Sequence, residues 1–262
     1  LKSRDWSLST TLTAAYNKNK IKEVGYIPTD AIDMMQYPTN YYLKGDAYNS
    51  LYAYRYAGLT EDGNPSIYDT EGNVVSIQPV RDINALIVAG QLDPKWNGAF
   101  DLSLSWKSLN FFTKIIYYTG HSLRADATPL YTGIGNSTLA ATGAIHEDIA
   151  NRWTPGNTNT DIPSMNVYGT AGEREYHWQY SDYNVVTASF IKIRNIGLNY
   201  TLPQEWLGKS GFKNISLRAQ INNPCYWAAN NRDIDPESFY ANSGTRTSKL
   251  MPSYILGINI NF

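Results

Sequence analysis

Three histidines, one cysteine and two acidic stretches are the parts of this 262-residue chain whose residue types could do chemistry. His121, His146 and His177 are isolated, without the short spacing that presents two imidazoles to one metal, and they are expected to be surface-loop histidines. Cys225 is alone, so neither an internal disulfide nor a thiolate-built zinc cluster can form. Asp233, Asp235 and Glu237 alternate, and Asp69-Thr70-Glu71-Gly72-Asn73 offers several oxygens near a turn. Neither stretch has the full oxygen set and in-register glycine of a calcium loop, so both are expected to be solvated loops. No Gly-x-Ser-x-Gly elbow, phosphate loop or zinc motif occurs. A glycosidase needs two carboxylates across a cleft, a pair that sequence alone neither shows nor rules out. The chain is read as a non-enzyme without cofactor or metal.

The elements that would position such residues are strands. Charged residues make up 17%, below the roughly 25% of ordinary soluble domains, while 21 Tyr and 7 Trp are present. Those rings combine an apolar body with a polar tip and suit a boundary between water and an apolar phase. The net charge of −1 gives no electrostatic reason to expect nucleic acid as a partner. The longest uncharged apolar run, residues 85–89, is far short of the roughly 20 residues of a membrane helix. A β-barrel remains open, because only alternate residues of its strands must be apolar.

Period-two alternation recurs along the chain. Trp6, Leu8, Thr10, Leu12, Ala14 and Tyr16 form one row; Phe100, Leu102, Leu104 and Trp106 a second; Leu109, Phe111, Thr113, Ile115 and Tyr117 a third. Ile196, Leu198, Tyr200 and Leu202 follow, then Ile215, Leu217, Ala219 and Ile221, and finally Tyr254, Leu256, Ile258, Ile260 and Phe262. None of these residues is charged, whereas the opposite rows carry Asp101, Lys114 and Arg218. The ten steps from Trp6 to Tyr16 span about 33 Å, or about 23 Å of height at a 45° tilt, close to the apolar band of an outer-membrane barrel. Sandwich strands are shorter. In 187–202 the apolar phase changes between Ile193 and Ile196, which predicts a β-bulge or a strand continuing past the membrane. Tyr48, Tyr52, Tyr54 and Tyr56 suggest one more strand.

The connections are uneven. Lys107-Ser108 leaves room only for a tight turn and 203–213 makes a moderate one, whereas about 65 residues follow Tyr117 and 223–251 is another long polar stretch. Short turns on one side and long loops on the other are the habit of outer-membrane barrels. With the short turns periplasmic, strands 98–106, 187–202 and 252–262 run inward, and 109–119 and 214–223 run outward. The chain opens Leu1-Lys2-Ser3-Arg4-Asp5-Trp6 without Met or signal peptide. This is read as not a natural N-terminus, with any export signal outside the chain.

From Asp93 onward the sequence resembles the C-terminal end of the SusC/RagA family of TonB-dependent outer-membrane transporters. The resemblance is carried by Asp93-Pro94-Lys95-Trp96-Asn97-Gly98-Ala99-Phe100, by Arg152-Trp153-Thr154-Pro155-Gly156-Asn157 with Thr160-Asp161-Ile162-Pro163, and by the strand from Ser189 to Pro203. Asp235-Pro236-Glu237 and the closing Gly257-Ile258-Asn259-Ile260-Asn261-Phe262 complete it. No single piece is specific; all of them in order are. The family's plug, its TonB-contacting segment and its earlier strands have no counterpart here.

The resemblance implies an all-β protein, with residues 1–262 forming the C-terminal part of an antiparallel transmembrane β-barrel. The whole barrel would have about 22 strands, a plugged lumen and long extracellular loops. It implies TonB-dependent import of oligosaccharides or peptides across the outer membrane of a Gram-negative bacterium, with a SusD-like lipoprotein as partner and the TonB complex engaged through the absent N-terminal region. The chain is expected to supply the last eight to ten strands. Missing strands are expected as well, because open edges in lipid leave backbone groups unpaired. The alternative is a soluble or surface-anchored glycan-binding β-sandwich. Trp178, Tyr180 and Trp227 are the aromatic residues expected to contact substrate from the outer loops, against the plainer possibility of girdle or loop packing. Trp153, beside Pro155, is expected to pin its own loop. Phe262, a terminal aromatic after alternating apolar residues, looks like the signal read by the barrel-assembly machinery.

Overall fold

The computed structural model describes residues 2–3, 5–125, 147–164, 173–208, 211–240 and 245–262. Six long strands form one open sheet: β1 (Trp6–Tyr16), β2 (Trp96–Trp106), β3 (Leu109–Thr119), β4 (Phe190–Thr201), β5 (Asn214–Ala228) and β6 (Ser253–Asn261). Each is antiparallel to the next in chain order, so the sheet is an up-and-down meander whose edges are β1 and β6. Lys107, at φ 51°, reverses the chain between β2 and β3. Among the described residues this sheet has six strands, against the eight to ten expected for the chain; residues 17–95 add none to it.

Register is the central observation. Trp6 pairs with Trp106, Leu8 with Leu104, Leu12 with Phe100 and Tyr16 with Trp96. The same face continues through Phe111, Leu198 and Ala219 to Leu256, and through Leu109, Tyr200 and Leu217 to Ile258. Directly paired residues point to one side of a sheet, so every apolar row found in the sequence lies on one face. The phase change in β4 is a bulge: Ile193 pairs with Ile115 but Asn195 with Lys114, leaving Arg194 as the extra residue. Ile191 and Ile196 therefore share the apolar face despite their odd spacing. Leu12 is 73% and Leu256 86% exposed, and no buried cluster draws a residue from this face. Among the described residues there is no second sheet over it, as a sandwich would require.

The opposite face is polar. At one height Thr11, Asp101, Lys114, Asn195, Asn222 and Ser253 pair in succession across all six strands. Within this belt Lys114 lies 3.4 Å from Asp101, and Asn222 donates to Ser253 at 3.2 Å. One turn of the pleat away, Gly197 lies opposite Phe112. A Cβ at Gly197 would come within 2.1 Å of the Phe112 ring, so glycine here lets the ring lie across β4, with the Arg218 guanidinium 5.3 Å from its centre.

The packed core lies in the three long connections on one end of the sheet. Helix α1 (Ala31–Gln36), capped by Asp30 accepting from Ile32 N–H, packs with Tyr52, Tyr54, Ile67, Val80 and Ala85, and with Tyr180 from the second connection. A second cluster joins Leu123, Ala125 and Ala188 to Ile234 and Phe239 of the third. Thus the three connections are fused into one layer, not left as separate polar loops. Trp153 ties two of them: its ring lies on Gly63, at φ +74°, where a Cβ would be 2.4 Å away, and Ser164 N–H donates to Gly63 O. It therefore pins more than its own loop. The expected tyrosine strand is corrected too. Ser50–Tyr54 and Tyr56–Leu59 are separate short strands inside this layer, and Tyr48 precedes them in a turn.

Candidate functional site at the outer mouth

Where the layer meets the polar face of the sheet, the third connection folds over β4. Lys192, on that face opposite Ile116 and Tyr226, is 2% exposed. Its Nζ donates to Asp235 Oδ2 at 3.1 Å and Oδ1 at 3.3 Å, and lies 2.5 Å from Glu237 Oε2. The last is a charge contact without hydrogen-bond alignment, since Glu237 Oε2 has no hydrogen-bond partner. Glu237 also pairs with Arg194, the bulged residue, and Asp235 caps its own turn by accepting from Glu237 N–H at 3.1 Å. The expectation of a solvated acidic loop is wrong here: two carboxylates 43 and 45 positions from Lys192 neutralise a lysine that the loop itself buries. Only Asp233, bound to Lys249 at 3.1 Å, is largely exposed. The other acidic stretch is a hydrogen-bonded turn in which Asp69 accepts from the N–H groups of Glu71 and Asn73. Desolvation pushes its carboxyl up, but the bonds from the Asn73 side chain and from the N–H groups of Asn73, Glu71 and Gly72 together outweigh it and hold the group below the usual range.

The residues singled out from sequence sit elsewhere than expected. Trp178, on α2 (Glu173–Gln179), is 1% exposed and packs against Tyr56 and Tyr183 at ring distances of 5.8 and 5.0 Å. Tyr180 is buried with α1 and lies beneath the Arg124 guanidinium at 4.9 Å. Both rings build the layer and offer no face to a solute. Trp227 is 58% exposed, but it pairs with Ile191 and so stands on the apolar face, at the height of an interfacial girdle. Phe262 is exposed beside Phe212. His177 is fully buried, its Nδ1 3.1 Å from Ser76 O, which requires that nitrogen to carry the proton. Burial pushes His121 below its ordinary pKa, with Asp93 opposing, and its Nδ1 has no hydrogen-bond partner. His146 lies outside the described residues. Among those residues there is no group of three or more His, Cys, Asp or Glu able to hold a metal.

Arg124 anchors the start of the second connection. It is buried and donates to Tyr52 O at 2.6 Å and Gln179 O at 3.4 Å. Burial pushes its guanidinium down to about 10, so it is still charged at neutral pH.

One concave feature escaped the sequence reading. Ile21, Glu23, Val24, Gly25 and Tyr26 face Asn40, Tyr41, Tyr42 and Tyr48 across a cleft of about 310 Å³. Tyr42 and Tyr48 stack at 4.9 Å and 18°, and Tyr26 and Tyr41 meet at 6.3 Å and 45°. The Tyr42 hydroxyl is pushed up to about 12 by its bond to Tyr48 and by burial, so it stays neutral. The signal available in sequence was the density of tyrosines between 26 and 48.

An uncharged outer face, a polar inner face and long connections gathered at one end define a segment of a transmembrane β-barrel wall. The fold is that of the RagA-like transporter barrel: the chain superposes over its whole length on 28% of a chain from the structure of the RagAB peptide transporter, with a TM-score of 0.74 at 22% identity. The closed-closed state of the RagAB peptide importer gives a TM-score of 0.73 over the same span. In sequence the chain is 24% identical, over 99% of its length, to TonB-dependent receptor P3 of Formosa agariphila, and 26% identical over 89% to TonB-dependent receptor P39 of that organism. It spans 27% and 22% of those two proteins, about a quarter of their length. No family model matches it. The likeness to the SusC/RagA type read from the motifs thus extends over the whole chain.

Proposed function

We propose that this chain forms part of the wall and outer-loop layer of an outer-membrane transporter of the TonB-dependent kind, importing oligosaccharides or peptides without chemistry of its own. The supporting observation is the uncharged face that runs unbroken and uncovered across six strands of 9–15 residues, backed by a polar face. Lipid is the medium that tolerates the first, and a wet lumen suits the second. The edges β1 and β6 then pair with strands outside these residues, since unpaired backbone is not tolerated in hydrocarbon. The plug, the TonB-contacting segment and a SusD-like lipoprotein over the mouth complete the reading by analogy with the relatives.

The test is uptake by intact cells. Deleting the parent gene should abolish energy-dependent accumulation of a labelled oligosaccharide or peptide pool, and the full-length protein should fractionate with outer membranes. Recovery of the full-length protein in the soluble fraction without detergent would contradict the proposal.

A further inference from the structure

The tyrosine cleft lies in the layer built by the long connections at one end of the sheet, and its lining combines four tyrosine rings with a single carboxylate. We propose that the cleft between residues 21–26 and 40–48 is a subsite for a neutral sugar unit of the imported solute; this rests on the import reading and adds the substrate class to it.

Four tyrosine rings line the cleft, and its size is at the low end of small-ligand pockets. The face of an aromatic ring is electron-rich and attracts the polarised C–H groups that one side of a pyranose presents. Around these rings, Asn40, Glu23 and the tyrosine hydroxyls supply donors and acceptors for sugar hydroxyls. The surface is pre-formed. Tyr41 packs on the buried cluster around α1, Ile21 N–H donates to Asp46 O at 2.8 Å, and Gly45 N–H donates to Ile21 O at 3.0 Å. Tyr48 N–H donates to Asn19 Oδ1 at 2.6 Å.

Two of the lining amides, those of Ile21 and Tyr48, are already bonded within the layer, which leaves fewer backbone donors for an extended peptide, whereas the ring faces suit a sugar. Charge argues against an anionic solute. Glu23 is the one ionisable group in the lining other than the tyrosines, and neither lysine nor arginine lines it. Lys18, Lys20 and Lys22 alternate with Asn19, Ile21 and Glu23, and Lys20 lies against Gly45 outside the cleft.

Calorimetry on the full-length protein in detergent tests this. The probes are neutral gluco-, manno-, galacto- and xylo-configured tetrasaccharides, tetragalacturonate and tetra-alanine. At least one neutral tetrasaccharide should bind, and Tyr48→Ala should weaken it about tenfold, in line with the loss of one stacked ring. Tyr48→Phe, which keeps the ring, should stay within about threefold of wild type, and circular dichroism should find both variants folded. Equal binding by wild type and Tyr48→Ala would overturn the subsite, as would binding of tetragalacturonate or tetra-alanine alone, or of no neutral sugar. Cells that import peptides while the protein binds no sugar would sink the subsite and leave import standing. A protein absent from the outer membrane would sink import itself.

Discussion

Replacing Lys192 with Met is expected to destabilise the docking of the third outer connection by about 3–5 kcal/mol, the usual cost of removing one partner of a buried ion pair. Asp235 is 4% exposed, and Lys192 is the cation that meets it. Glu237 keeps Arg194 in the variant, but Asp235 is left as a buried carboxylate with no counter-charge among the described residues. The wall should survive, because β4 keeps its backbone pairing to β3 and β5. Adding Asp235→Asn should recover most of the loss: the amide removes the charge yet retains an oxygen for Glu237 N–H. Hydrogen exchange at residues 234–238 reads the effect. Fast exchange in Lys192→Met and slow exchange in the double variant is the expected pattern. Wild-type protection in the single variant would mean that the ion pair does not hold the connection down.

Leu217→Arg is expected to cost up to about 2–4 kcal/mol of folding into a bilayer, as for a basic side chain near mid-depth on a barrel's lipid face. Leu217 lies between Tyr200 and Ile258 on the uncovered face. The adjacent Arg218→Leu should matter much less. Arg218 points to the other side, where it bonds Gln220 and lies over Phe112. Urea-dependent folding of the full-length protein into vesicles measures both, and equal tolerance of the two would contradict the assignment of faces.

The wall was legible in the sequence because a strand writes its environment in one dimension. Where lipid covers one side and water the other, each second residue reports its face without knowledge of any neighbour. That is why β1, β3 and the inner ends of β4 and β5 follow from spacing alone, and why the slip from Ile193 to Ile196 marked the bulge at Arg194. Pairing then needed only chain order, since the sheet is a meander.

The outer layer was not legible for the converse reason. Trp178 and Tyr180 look like loop aromatics because the residues that bury them come from other connections: Tyr56 from the first, and α1 with its cluster. Lys192 and Asp235 are each unremarkable in sequence, and only the fold of the third connection over β4 makes them a buried pair. The short strands around Tyr52 and Tyr56 read as one strand in the sequence because tyrosine-rich alternation fits a half-buried strand as well as a membrane one. The cleft lined by Tyr26, Tyr41, Tyr42 and Tyr48 needs two stretches brought face to face, which no periodicity records.

Nitroxide scanning along β5 tests the lipid contact most directly. Labels placed singly at residues 215–221 of the full-length protein, in a Cys225→Ser background in bilayers, are relaxed by oxygen from the hydrocarbon or by a water-soluble nickel chelate. Oxygen should dominate at Ile215, Leu217, Ala219 and Ile221, and nickel at Ser216, Arg218 and Gln220. Nickel access at Leu217 and Ala219 equal to that at Ser216 and Arg218, or the loss of the two-residue period, would contradict a membrane wall.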